Sequence, residues 1–275
     1  MLQEQRPAAP TSAIVRGLHA VFTEHRLPDA LRGPVDRLCR AVGLRTRIAR
    51  VEGLLFRVRR QTSDESFVRN VVGRREYNPE GYEIGKRDTV IDIGGNIGTF
   101  AIVAAQGSPA GRVLSFEPDA ENFRLLKANV ALNRVAIEAH QMAVAAASGH
   151  VTLFTWPWDG GHHTLIAGKL GEGEREQRVP AISLSEIFDR FKVAHCDFLK
   201  LDCEGAEYEI LEALPEPYWQ RIGKISMEYH GKDIEEARVK VGRLCDLLRG
   251  RGFRIYAVEE HAQYRCGHLR ATHLV

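Results

Sequence analysis

The chain has 275 residues, of which 44% are hydrophobic, with 38 Lys+Arg set against 36 Asp+Glu, a balance that suits one large α/β domain plus a short appendage. No apolar run approaches the ~18 residues needed to span a membrane, and the first residues lack the apolar stretch of a signal peptide. Five cysteines, an odd number with no CxxC pair, argue against a disulfide framework or a zinc site, so reduced thiols and a cytoplasmic location are expected.

The net charge of +2 conceals an asymmetry. Residues 1–60 hold twelve Arg, no Lys and five acidic residues, a balance of +7, and the rest of the chain carries −5. Residues 1–53 read as an Arg-rich helical extension, with apolar residues at helical intervals over 12–25 (Ile14, Leu18, Val21, Phe22) and 29–42 (Leu31, Val35, Leu38, Val42). A basic lobe of this kind can face phosphates or an acidic partner. No aromatic residues interleave with the arginines, however, so a solvated face is favoured and no nucleic-acid partner is expected.

A second region, residues 54–275, reads as the main domain. Leu54–Arg59 alternates as a strand, and a helix over 64–72 follows, capped by Ser63 or Asp64. Strands are then predicted at Thr89–Ile93, Arg112–Phe116, 137–144, 198–202, 224–229 and 253–258. Helices are predicted over 97–105, 120–132, 206–214 and 234–249, the last with an Asp233…Glu236 capping box. This alternation implies a doubly wound, mostly parallel sheet with ligands at the carboxyl ends of its strands. Residues 151–181 break the rhythm and read as an insertion: a strand at 151–155, a loop at Trp156-Pro-Trp-Asp-Gly-Gly-His-His and a glycine-rich tip over 168–177. A short helix over 182–191 follows, opened by Ser183…Glu186.

The most informative stretch is Val90-Ile-Asp92-Ile-Gly94-Gly-Asn96-Ile-Gly98, a buried strand entering a tight turn and then a helix. Its spacing is D-x-G-x-N-x-G. The dinucleotide fingerprint needs a glycine where Asn96 stands, and the phosphate loop's Gly-Lys-Ser/Thr is absent. A glycine turn carrying its own carboxylate suits a ligand with a cationic group and no pyrophosphate, and S-adenosylmethionine (SAM) is such a ligand. Glu117, followed by Pro118, ends the next strand where an acidic residue can accept hydrogen bonds from both ribose hydroxyls. Asp92 and Glu117 then lie on adjacent strand ends, able to hold the amino group and the ribose of one nucleoside–amino acid. Met142 and Ala143 offer an apolar edge for an adenine, although a gap-filling core role fits Met142 equally well.

Further on, Phe198-Leu-Lys200-Leu-Asp202-Cys203-Glu204-Gly205-Ala206-Glu207 places Lys200 and Asp202 on one face of a central strand. Charge on such a strand is either structurally paired or used in chemistry. Glu207 falls in a helical first turn, where the dipole favours a carboxylate, and Cys203 reads as a small core residue. Glu228 and His230 share a face at the end of the fifth strand, beside Asp202. A His among carboxylates can take a proton from a substrate hydroxyl. The same three groups can instead bind a divalent cation, which is not predicted here. His162 and His163 are secondary candidates from the loop above.

With these residues in view, the chain resembles the FkbM family of SAM-dependent methyltransferases. The matching pieces are Asp88-Thr-Val-Ile-Asp-Ile-Gly-Gly-Asn-Ile-Gly-Thr-Phe, Ser115-Phe-Glu-Pro-Asp with Asn122-Phe, Asn129…Leu132-Asn133, Asp197-Phe-Leu-Lys-Leu-Asp-Cys-Glu-Gly-Ala-Glu and Glu228-Tyr-His. Thr62-Ser-Asp and Glu76-Tyr77 fit upstream. The resemblance covers roughly residues 55–260. It implies a class I methyltransferase sheet of seven strands with the last antiparallel, supplied by residues 268–275. It also implies O-methylation of a hydroxyl on a glycan or a natural-product scaffold. Carried onto this chain, it implies that Asp92, Gly94, Asn96, Gly98, Glu117 and Asp202 line the SAM site, and Pro118, Met142, Ala143 and Glu204 complete the candidate cofactor set. Lys200, Glu204, Glu228 and His230 would face the acceptor, with His230 or Glu228 as the base and Asp202 orienting the reacting groups. Gly95 stands where the family usually has Ala, Cys203 where Val is common, and Ser185-Glu186 where an Asp is frequent. Three competing readings remain: a nucleic-acid methyltransferase, a non-catalytic SAM-binding protein and a nicotinamide-dependent oxidoreductase. The first lacks the Asn/Asp-Pro-Pro-Tyr/Phe motif, and the last lacks G-x-G-x-x-G.

Overall fold

Along the central strands, successive residues alternate between two packed faces. The structure, a computed structural model, describes residues 43–156, 163–165, 174–261 and 266–274, together with residues 37, 39 and 41. On one face Val90, Val113 and Phe198 pack with Phe100, Ala101 and Ala104 of the helix α2 (Thr99–Gly107). On the other, Ile91, Leu114 and Leu199 pack with Ile187 and Phe188, Ile210 and Leu211, and Val241, Leu244 and Leu248. Those three groups belong in turn to α4 (Leu184–Arg190), α5 (Glu207–Glu212) and α6 (Ile234–Gly250). Burial on both sides explains why these strands read as near-continuous apolar runs.

Among the described residues, seven strands form the main sheet in the order β11-β12-β10-β9-β3-β4-β5. They are β3 (Thr89–Ile93), β4 (Arg112–Phe116), β5 (Glu138–His140), β9 (Cys196–Leu201), β10 (Ile222–His230), β11 (Phe253–His261) and β12 (Cys266–His273). β3, β4, β5, β9 and β10 run parallel, and β12 inserts antiparallel between β10 and β11. This is the α/β class I methyltransferase sheet, with the final strand antiparallel as the resemblance implies. The chain winds outward from β3 through β4 to β5, then returns to β9 on the opposite side of β3. A crevice opens at such a reversal, outside the strand carboxyl ends.

Several elements differ from the sequence reading. The strand expected over 137–144 is two: β5 ends at His140, and β6 (Ala143–Ala145) joins a separate sheet of order β6-β8-β7. Its other members are β7 (Gly149–Thr155) and β8 (Arg175–Ser183), which pair antiparallel. β8 includes residues 175–177 of the expected glycine-rich tip, whose other described residue is Glu174. A hairpin of β1 (Thr46–Val51) and β2 (Leu54–Arg59) precedes the main sheet, so the boundary expected at 53/54 falls in its turn. Arginines interrupt the apolar alternation of β1, which therefore reads as part of the basic extension. α1 (Asp64–Val68) continues into a π-helical turn over Arg69–Gly73. Asp64 does not cap it; its buried carboxylate accepts from the Arg59 backbone N–H at 2.8 Å and from the Arg59 guanidinium at 2.8 and 3.0 Å. α3 (Ala120–Asn133), by contrast, is capped by its preceding residue, Asp119 accepting from the N–H groups of Glu121 and Asn122. The helices expected within 12–42 lie, apart from three isolated positions, outside the described residues.

Candidate functional site

At the reversal, the carboxyl ends of β3, β4 and β9 surround a cleft of about 560 Å³, counted together with the solvent space at its mouth. Gly94 and Asn96 from the first turn, Glu117 and Pro118 from the end of β4, Ala143 and Val144 from β6, and Asp202, Cys203 and Glu204 after β9 all line it. Phe116, Leu153 and Leu165 add an apolar wall, and His163 lines the same cleft; His162 lies outside the described residues.

The turn is tightly built. The N–H groups of Gly94 and Gly95 both donate to the Phe116 carbonyl, at 3.1 and 2.9 Å. Gly94 has φ +79°, and a Cβ there would lie 1.7 Å from the Asp202 carbonyl oxygen, so the loops after β3 and β9 approach too closely for any other residue. Asn96 is left-handed at φ 48° and Glu204 at φ 56°, conformations that concentrate at functional sites. Glu117, 4% exposed, accepts from the Asn96 N–H at 2.7 Å and the Asp119 N–H at 2.9 Å. Burial pushes its carboxyl up to about 7, against the pull of those N–H donors.

These residues fit SAM on structural grounds. A glycine turn that no Cβ could occupy leaves backbone against the cleft. Among the described residues the buried Asn96 side-chain oxygen has no hydrogen-bond partner, and Glu117 retains acceptor capacity beyond its two N–H donors. Of the ten candidate cofactor residues, Gly94, Asn96, Glu117, Pro118, Ala143, Asp202 and Glu204 line the cleft, and Asp92, Gly98 and Met142 do not. Gly98, at φ +85°, starts α2 behind the turn, and Met142 packs against the hydrophobic core.

Asp92 and Lys200 require a different account from the expected one. Asp92 is fully buried beneath the turn, accepting from Ser115 Oγ at 2.8 Å with Lys200 Nζ at 3.3 Å. Lys200, 2% exposed, donates to the carbonyls of Gly94 at 2.7 Å and Ile93 at 3.2 Å. It faces no acceptor space. Burial alone would lower its pKa, but Asp92 and Asp202 (3.7 Å) outweigh that and raise it. The pair is a buried strut that ties the first turn to β9, and the Asp92 carboxylate, fully buried, does not line the cleft where a ligand's amino group would sit.

The acceptor-side candidates do converge. Asp202, Glu228 and His230 each place a polar atom within 4.8 Å of the others. Tyr77, not singled out as a site residue, joins them: its hydroxyl lies 2.9 Å from Asp202 Oδ2 and 3.5 Å from Glu228 Oε2. Its pairing partners lie 125 and 151 residues away, so only the fold reveals them. His230 Nδ1 faces Glu207 Oε1 at 3.2 Å, and Nε2 faces Glu204 at 3.6 Å and Glu228 at 3.9 Å. Burial would lower its pKa, but Glu204, Glu207 and Glu228 hold it at about 10. With carboxylates at both ring nitrogens His230 is an imidazolium at neutral pH, which removes it as the general base in this state. Glu207 is the second residue the sequence reading underused. It also accepts from the N–H groups of Cys203 and Gly205. Burial would raise Glu207, yet His230 and those donors bring it down to about 2. Burial, Glu207 and Asp202 push the Cys203 thiol far above its ordinary value, so it is no nucleophile.

The seven-stranded sheet with β12 antiparallel between β10 and β11, together with the glycine turn after β3 and Glu117 after β4, has the architecture of a class I methyltransferase. Residues 92–255 match the methyltransferase FkbM domain, and the chain belongs to that family of SAM-dependent methyltransferases. It is 28% identical over 219 residues to the 31-O-demethyl-FK506 methyltransferase FkbM of Streptomyces tacrolimicus, covering 70% of this chain and 82% of that one. It is 28% identical over 188 residues to Methyltransferase 1 of Beauveria bassiana (62% and 73% covered). To the hexuronic acid methyltransferase AglP of Haloferax volcanii it is 25% identical over 187 residues (66% and 74%). Among the described residues no helix is long and apolar enough to cross a membrane.

Proposed function

We propose that this chain transfers a methyl group from SAM to a hydroxyl of a small natural-product or sugar acceptor. The observation that carries the reading is the position of Asp202, which lines the cofactor cleft and also belongs to the rim of Glu228, His230 and Tyr77. Two relatives' names, a demethyl-FK506 methyltransferase and a hexuronic acid methyltransferase, agree with a hydroxylated acceptor.

SAM, when bound, supplies an electrophilic methyl group on a sulfonium. Glu117 would hold the ribose hydroxyls, the Asn96 amide and the Gly94 backbone the amino-acid end, and Phe116, Ala143 and Val144 the adenine. Because the methyl donor is already activated, the remaining work is to align the acceptor oxygen and remove its proton. Of the rim carboxylates beside Tyr77, Asp202 orients that hydroxyl and Glu228 takes its one proton as the C–O bond forms and the C–S bond of the donor breaks. Lys200 fixes the turn, and the His230–Glu207 pair fixes the rim.

The test incubates isotopically methyl-labelled SAM with hydroxylated macrolide and sugar acceptors, and with RNA and DNA in parallel. A labelled O-methyl product is expected only with the hydroxylated small molecules, and Glu228→Gln is expected to lower its rate about 100-fold. Label appearing in nucleic acid, or SAM binding with no product from any acceptor, would overturn the proposal.

A further inference from the structure

Among the described residues, carboxylates gather closely at the rim. Asp202, Glu204, Glu207 and Glu228 surround His230 and the Lys200 ammonium, and Lys200 is closest to Asp92, at 3.3 Å against 3.7 Å to Asp202. Carboxylates gathered around one imidazole in this way are a donor set suited to a cation. The ligating atoms are already gathered: one carboxylate oxygen each from Asp202 and Glu228 and a ring nitrogen of His230 lie within 4.8 Å of one another, so small side-chain rotations bring all three onto one ion. Glu207 meets Nδ1 of the His230 ring at 3.2 Å and leaves Nε2 turned toward Glu204 and Glu228. A carboxylate behind the histidine is the usual partner of a metal-bound imidazole.

A separate feature comes from β12. His268 lies directly opposite Glu228 in the β10–β12 register, so the two side chains share a face. It is 2% exposed; its Nε2 lies 3.5 Å from Glu76, and its Nδ1 has no hydrogen-bond partner among the described residues. The carboxylate side of the rim is the open side, with Asp202 26% and Glu228 23% exposed, against 9% for His230. An ion held there keeps open positions for water or substrate.

We propose that Asp202, Glu228 and the Nε2 of His230 form a site for one divalent cation of the Mn²⁺ or Mg²⁺ class, with Glu204 beside it. A mixed set of oxygens and one imidazole suits Mn²⁺. The cation neutralises the rim and gives the acceptor hydroxyl an anchor at the mouth of the cofactor cleft; that second role rests on the methyl-transfer reading above, while the binding itself does not. On binding, the ion displaces the Nε2 proton, which leaves to solvent.

The experiment uses the full chain, stripped with chelator and titrated with Mn²⁺ alone by calorimetry, followed by pulsed electron paramagnetic resonance of the bound ion. One ion per chain is expected, with nitrogen coupling from a single imidazole. Glu228→Gln is expected to weaken Mn²⁺ binding at least about tenfold, while its binding of S-adenosylhomocysteine shows that it is folded. No Mn²⁺ uptake at millimolar concentration, a bound ion without nitrogen coupling, or affinity unchanged in Glu228→Gln would each overturn the site. Full methyl transfer in excess chelator would remove the anchoring role and leave the methyltransferase reading standing. Loss of methyl transfer in protein that still binds Mn²⁺ would count against that reading alone.

Discussion

Glu117 is a buried carboxylate held by N–H groups and lying near the Asp119 carboxylate, and its behaviour with pH follows from that. Its folded value of about 7 lies above the ordinary 4.5. The folded protein therefore holds a proton that the unfolded chain releases. This group's contribution to stability is complete below about pH 4.5 and is lost as the pH rises through 7. Ligand binding runs the other way, because ribose hydroxyls donate to the ionised form. S-adenosylhomocysteine is expected to bind about tenfold more weakly at about pH 6 than on the plateau above pH 8, and Glu117→Gln should bind weakly at both. A calorimetric series that is flat across this range in the native protein would refute the role. At the same scale, Gly95 shows what a motif departure means. A Cβ at Gly95 would lie 2.4 Å from Ser115 Oγ, which is bonded to Asp92. The Ser115 hydroxyl fills the space an alanine methyl would take, and that exchange spans two strands and is invisible along the chain.

At the scale of elements, two asparagines one helical turn apart on α3 stand in for a missing strand. Asn133 accepts from the Leu55 N–H at 2.9 Å and donates to its carbonyl at 2.7 Å. Asn129 does the same for Arg57 at 2.6 and 3.3 Å, and also donates to the Ile97 carbonyl at 2.9 Å. Their primary amides copy the backbone ladder that the outer edge of β2 lacks, and they tie that edge to the turn before α2. Asn129 is fully buried, so Asn129→Ala leaves backbone groups without partners. It is expected to cost about 1–3 kcal/mol in urea unfolding, and a loss below about 0.5 kcal/mol would show that water replaces the amide. The spacing Asn129…Asn133 stands out in the sequence as a motif, but its partners lie 72 and 78 residues upstream, so its task does not. β3 and β4 were legible to the residue because both their faces are buried. β1 and β8 were not, because charged and polar residues dilute their apolar pattern.

For the whole molecule, the cleft joins loops from β3, β4 and β9 with β6 of the smaller sheet, so a ligand there braces segments more than 100 residues apart. S-adenosylhomocysteine at 100 times its dissociation constant should add about 2.7 kcal/mol to unfolding, which a chain this long reads as a rise of several degrees in Tm. The rise should vanish in Glu117→Ala, and its persistence there would place the ligand elsewhere. The sequence by itself determined the doubly wound sheet, the order of its motifs and the residues at the cofactor turn. Those features follow from local periodicity and from backbone conformations that only particular residues allow. Only the tertiary structure decided which charges meet. It turned Asp92 and Lys200 inward as a strut, and it closed Glu204, Glu207 and Glu228 around His230. It also brought Tyr77 to Asp202. Charge pairing depends on which strand ends and loops come together in space, and no local pattern records that.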